Sequence, residues 1–153
     1  MGKKIISFFI CYFIVTLSNS CTDDLLNPIP NVPVYLNIDL QFQDQDLVPV
    51  YAVKSYTTPI SAIQKLGFGG VVVIHGLDNG SGQEYYAYDL ACPNEANPSI
   101  RVVPDDMGHA QCGTCKSVYD LSNGFGNRVS GPTKSDLKRY QAIHIGNIVE
   151  IRN

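Results

Sequence analysis

Val34-Tyr35-Leu36-Asn37-Ile38-Asp39-Leu40-Gln41-Phe42 is the stretch that decides the fold class. Val34, Leu36, Ile38, Leu40 and Phe42 share one side of an extended chain and mostly polar residues take the other, which is the period-two pattern of a half-buried strand. Outward from it, residues 71–75 form an apolar run of buried-strand type. Asp78-Asn79-Gly80-Ser81-Gly82 then supplies turn chemistry leading into residues 84–89 as a hairpin. Similar short strands are expected at 100–103, 110–111, 117–120, 140–145 and 147–151, the last two joined at Gly146-Asn147. Between the first strand and the hairpin the pattern is less regular, and predicts a short strand at 48–53 and a single helical turn at 59–66. The spacing predicts an all-β, antiparallel sandwich or small barrel.

Composition agrees. A chain of 153 residues has room for one ordinary domain. With 44% hydrophobic and only 16% charged residues, thirteen glycines and nine tyrosines, it favours a turn-rich β protein with a real core over a helical or disordered chain. The glycine cluster Gly67-Phe68-Gly69-Gly70 lacks a following Gly-Lys-Ser and a long helix, so it reads as a turn and not a phosphate cradle. His75 ends a buried strand and His144 alternates with apolar residues, which makes both packed or turn-side histidines before catalysts.

Residues 1–20 read as a signal peptide: Lys3 and Lys4 precede an apolar run, too short to span a bilayer, that ends in Ser18-Asn19-Ser20 before Cys21. A cysteine directly after such a cut predicts a lipoprotein with Cys21 lipidated, although Leu17 lies one place too far upstream for the usual processing site. Simple secretion, with Cys21 free or paired, is the alternative. Cys21-Thr22-Asp23-Asp24 resembles the acidic export signal of Bacteroidetes surface lipoproteins, which implies an outer-membrane or cell-surface location. Pro28, Pro30 and Pro33 make residues 21–33 a lipidated, extended tether, leaving 34–153 as the folded domain. Without Lys3 and Lys4 the formal charge moves from −3 to −5, which argues against a nucleic-acid partner.

The chemistry lies in two cysteine loops. Cys92-Pro93-Asn94 follows one short strand, and Cys112-Gly113-Thr114-Cys115-Lys116-Ser117-Val118-Tyr119-Asp120 follows another about twenty residues later. Here the chain resembles the Rieske iron-sulfur family, whose loops carry Cys-x-His and Cys-x-x-His, with two thiolates on one iron and two imidazoles on the other. Cys92 and Cys112 match the thiolate ligands; Asn94 and Cys115 stand at the histidine positions. Ser117 and Tyr119 match the hydroxyls that hydrogen-bond to cluster sulfurs in that family. Asn123-Gly124 and Gly131-Pro132-Thr133 resemble its later turn and its loop beside the cluster. The resemblance covers roughly residues 71–151. It implies a Rieske-like domain with both ligand loops at one tip, of the type of Bacteroidetes lipoproteins with degenerate ligand motifs, and a 2Fe-2S cluster of altered ligation serving electron transfer.

Other outcomes follow from the same residues. An amide such as Asn94 is a poor ligand for that iron. Glu95 or His109 can complete a set, and Cys92, His109, Cys112 and Cys115 have the composition of a three-thiolate, one-imidazole zinc site. With no metal, two of the cysteines can form a disulfide between the loops. Cys112-x-x-Cys115 continues into a strand and not a helix, against a thiol oxidoreductase. No Gly-x-Ser-x-Gly elbow or histidine motif supports a hydrolase. The sequence therefore leaves two functions open, neither of them catalytic. One is an electron carrier with an unidentified redox partner. The other is a cluster-free, disulfide- or zinc-stapled binding module at the cell surface, tied to the membrane through Cys21.

Overall fold

A computed structural model describes residues 27–78, 80 and 82–153; the signal segment, Cys21 and the first part of the tether lie outside the described residues. Among the described residues the strands are β1 (Val34–Asp39), β2 (Val53–Tyr56), β3 (Lys65–Leu66), β4 (Val71–His75), β5 (Tyr85–Asp89), β6 (Val102–Pro104), β7 (His109–Cys112), β8 (Val118–Asp120), β9 (Arg128–Ser130), β10 (Arg139–Ile145) and β11 (Ile148–Arg152). Seven form one antiparallel, nearly closed barrel-like sheet in the order β2-β4-β5-β10-β11-β1-β3, and β6-β7-β8-β9 form a second, smaller sheet. The all-β class predicted from alternation is the class observed.

β1 follows the expected alternation as far as Ile38, with Val34, Leu36 and Ile38 buried and Tyr35 and Asn37 exposed; the strand ends at Asp39, and Phe42, expected on the inward face, is 73% exposed. These inward residues pack with Val71, Val73, Ala87, Val149 and Ile151 inside the barrel. β4 and β5 are covered on both faces, which explains why β4 is apolar throughout. Their odd-numbered residues enter the barrel. Val72, Ile74, Tyr86 and Tyr88 face the other way and form a second core with Val102, Ala110, Cys112, Tyr119 and Leu121 of the small sheet. Each fully buried aliphatic side chain contributes roughly 1.5–3 kcal/mol, so the β4–β5 hairpin joins the two sheets by apolar packing on either side.

Two further expectations need correction. The second strand is Val53–Tyr56, not 48–53, because Pro49 has no N–H to donate and Tyr51 turns to a φ of +66°, outside the strand region. A short 3-10 turn at Gln45–Leu47 precedes it. No helical turn forms at 59–66; the segment ends instead in the two-residue strand β3, paired with Val34 and Tyr35. β9 was not legible as a strand, because all three of its residues are exposed and it carries no alternation.

The glycine cluster finds an unexpected use. The Asp89 carboxylate is fully buried at the end of β5 and accepts hydrogen bonds from the N–H of Phe68 (2.8 Å), Gly69 (2.9 Å) and Ala91 (2.7 Å) and from the Tyr140 hydroxyl (2.5 Å). A cradle of backbone donors is thus present, filled by the protein's own anion. A Cβ on Gly69 would stand 2.5 Å from the Ala91 nitrogen, so only glycine lets the turn come this close. Arg101 donates from Nε to the Gly69 carbonyl. The network fixes Ala91, the residue before Cys92.

Candidate metal centre

Cys92 stands just past β5, where Ala91 forms an isolated bridge with Arg101. Its N–H donates to the Ile100 carbonyl at 2.9 Å, and its carbonyl accepts from the N–H of Glu95 and Ala96 at 3.1 and 2.9 Å. Loop 92–100 is therefore closed by backbone hydrogen bonds at both ends. Cys112 ends β7 and closes a second tight loop: its N–H donates to the Ser117 carbonyl at 2.9 Å and its carbonyl accepts from Lys116 at 3.0 Å. Lys116 takes a φ of +63° to complete that turn, which carries Cys115 back over Cys112.

The two loops meet. The sulfur atoms of Cys92, Cys112 and Cys115 all lie within 4.8 Å of one another, and Cys92 Sγ is 3.6 Å from Cys115 Sγ. All three are free thiols; Cys92 and Cys112 are buried and Cys115 is partly exposed. Cys92 and Cys112 belong to the second core, so its apolar packing holds them in place.

Both hydroxyls named by the resemblance lie beside these sulfurs. Tyr119 Oη is 3.6 Å from Cys92 Sγ, and Ser117 Oγ is 3.2 Å from Cys115 Sγ. The Cys115 thiol donates to Ser117 Oγ, which also accepts from the Thr133 N–H at 3.2 Å. A Cβ at Gly131 would fall 2.4 Å from the Ser117 Cα, so segment 131–133 lies directly against the cysteine loop.

The other residues considered for ligation lie apart. The Asn94 side chain is exposed and donates to Glu95 Oε1 at 3.0 Å. Among the described residues the close-packed group of potential ligands consists of the three cysteines, without Glu95 or His109. His109 opens β7 three residues before Cys112, and odd spacing along a strand puts the two side chains on opposite faces. Its N–H donates to Asp105 Oδ1. His75 and His144 lie elsewhere, packed on Tyr85 at ring-centroid distances of 4.5 and 5.0 Å.

Burial pushes the Cys92 thiol up to about 12, the hydrogen bond with Tyr119 opposing it and the neighbouring thiols adding to it. Cys115 goes the other way. Burial alone would raise it, but hydrogen bonding with Ser117 and the adjoining thiols bring it below the ordinary value, so it ionises before Cys92. Tyr119 is raised, mainly by burial.

Three thiols so placed can hold a metal ion. Tetrahedral coordination with metal–sulfur bonds of about 2.3 Å sets its thiolates roughly 3.8 Å apart, and the 3.6 Å between Cys92 and Cys115 falls close to that edge. A divalent cation would also supply the charge that stabilises thiolates in a buried setting. The ligand set of a Rieske cluster, with two imidazoles on one iron, is not matched by these residues, since positions 94 and 115 bear an amide and a thiol.

No protein-family model matches the chain, and no curated protein matches it either.

Proposed function

We propose that this protein is a metal-thiolate module, Rieske-like in its paired loops, in which Cys92, Cys112 and Cys115 hold one tetrahedral cation of the zinc class. The mutual approach of three sulfurs within 4.8 Å carries this reading, because one ion draws its ligands together whereas two irons hold theirs further apart. The metal would act as a staple between the loops, and its fourth position would be open to water or an outside ligand. The lipoprotein reading of residues 1–24 makes the domain an exported one, tethered to the outer membrane through Cys21, with a binding or structural role rather than a catalytic one.

Electron transfer through a 2Fe-2S cluster of altered ligation is the second reading. It is favoured by Ser117 and Tyr119, whose hydroxyls stand beside sulfur atoms where hydrogen bonds tune reduction potential. It requires Cys115 to move away from Cys92.

Anaerobic purification followed by metal analysis and a visible spectrum separates the readings. The expected result is a colourless protein with about one zinc per chain, lost in Cys112→Ser and retained in Asn94→Ala. Visible absorption with two irons per chain would support the electron carrier. A metal-free protein that lacks one pair of thiols would leave the disulfide-stapled module.

A further inference from the structure

Of the nine lysines and arginines between positions 21 and 153, Arg128, Lys134, Lys138 and Arg139 fall within twelve residues, with Asp136 the one acid among them, in a span whose formal charge is −5. The fold keeps them together. Leu137 N–H donates to the Gly126 carbonyl at 2.9 Å and Arg128 N–H to Asp136 Oδ1 at 3.0 Å, so the two ends of the segment run side by side. Arg128, Lys134 and Arg139 are exposed. The Arg139 guanidinium lies 5.8 Å from the centre of the Phe125 ring, which is itself 57% exposed. Arg139 therefore sits beside an uncovered aromatic ring, in a segment that carries three further basic residues.

The chain enters the domain beside this segment. Asn27 donates from Nδ2 to the Asp136 carbonyl at 2.9 Å, Lys138 donates from Nζ to the Ile29 carbonyl at 3.3 Å, and Ile29 is buried. Asn27 lies six positions after Cys21, a length that reaches at most about 20 Å. A lipid on Cys21 would hold a bilayer within that distance of Asn27, which is hydrogen-bonded to Asp136 inside the basic segment.

We infer that segment 125–139 rests against an anionic lipid surface, with Arg128, Lys134 and Arg139 toward the headgroups and Phe125 at the interface. The inference rests on the lipoprotein reading of Cys21. Basic residues near an anionic membrane are each worth about fivefold in binding.

Both cores lie between Ile29 and Ile151, so a chain from Thr22 to Asn153 keeps the folded part whole and carries no lipid. Its co-sedimentation is to be measured with vesicles of phosphatidylcholine alone and of phosphatidylcholine mixed equally with phosphatidylglycerol. Binding is expected to the mixed vesicles and to be lost at high salt. It should weaken roughly 25-fold in Arg128→Gln/Arg139→Gln, fall also in Phe125→Ser, and stay unchanged in Lys65→Gln/Arg152→Gln. Binding to neither vesicle, equal binding to both, or equal loss in the two double variants would overturn the inference. Absence of lipid on Cys21 is read separately, by fatty-acid labelling of the native protein, and leaves this measurement intact.

Discussion

Cys92 Sγ and Cys115 Sγ lie 3.6 Å apart although 23 positions separate them in the chain. Disulfide formation needs the sulfurs to approach to about 2.05 Å, a closure that rotation of the partly exposed Cys115 side chain can supply. Mild oxidation of the metal-free protein is therefore expected to join Cys92 to Cys115 and to leave Cys112 as a thiol. Peptide mass mapping after alkylation reads the pairing directly. A dominant bridge from Cys112 to either partner would contradict the geometry described here.

The Asp89 network predicts a large stability effect away from the cysteines. Asp89→Ala deprives three backbone N–H groups and the Tyr140 hydroxyl of their acceptor, at an expected cost of about 3–5 kcal/mol. Tyr140→Phe removes one donor and should cost about 1 kcal/mol. Gly69→Ala forces a Cβ against Ala91 and should cost roughly 1–3 kcal/mol. Urea unfolding measures all three, and an Asp89→Ala domain as stable as the parent would remove the network from the account.

Alkaline pH should weaken the metal-free fold. Burial pushes Cys92 up to about 12 from an ordinary value of 9.0, and burial first also raises Tyr56, Tyr88, Tyr119 and Tyr140. Above the ordinary values the unfolded chain has lost protons that the folded chain retains, so stability falls with rising pH. It is fully present below about pH 9 and declines toward pH 12. The Tm followed by circular dichroism should hold level up to that point and then drop, with a shallower decline in Tyr140→Phe. A flat profile through the alkaline range would show that these groups ionise alike in both states.

Lipid attachment at Cys21 has its own test. Cys21→Ala is expected to abolish incorporation of labelled fatty acid and to move the protein out of the membrane fraction. Unchanged fractionation would sink the lipoprotein reading while leaving the folded domain as described.

Much of the architecture was legible locally. Val34, Leu36 and Ile38 point inward because side chains alternate along an extended backbone, whatever the rest of the chain does. The run at Val71–His75 marked a strand buried on both sides, and Asp78, with Gly80 and Gly82, marked the hairpin that follows. Signals failed where tertiary context overrode them. Tyr51 adopts a positive φ while donating its N–H to the His75 carbonyl, and β9 pairs with β8 at the sheet edge with no buried face of its own.

The β class, the two cysteine-bearing loops and the crowding of basic residues at positions 128–139 can be read from residue order alone. Those properties follow from short-range sterics and composition. The tertiary structure alone decided which side chains meet: three thiols within 4.8 Å, His109 on the far face of its strand from Cys112, and Asp89 as the anion in the glycine turn. Such meetings depend on how β4 and β5 join the barrel to the small sheet, and pairing between strands distant in sequence is set by the packing of both cores rather than by any local pattern.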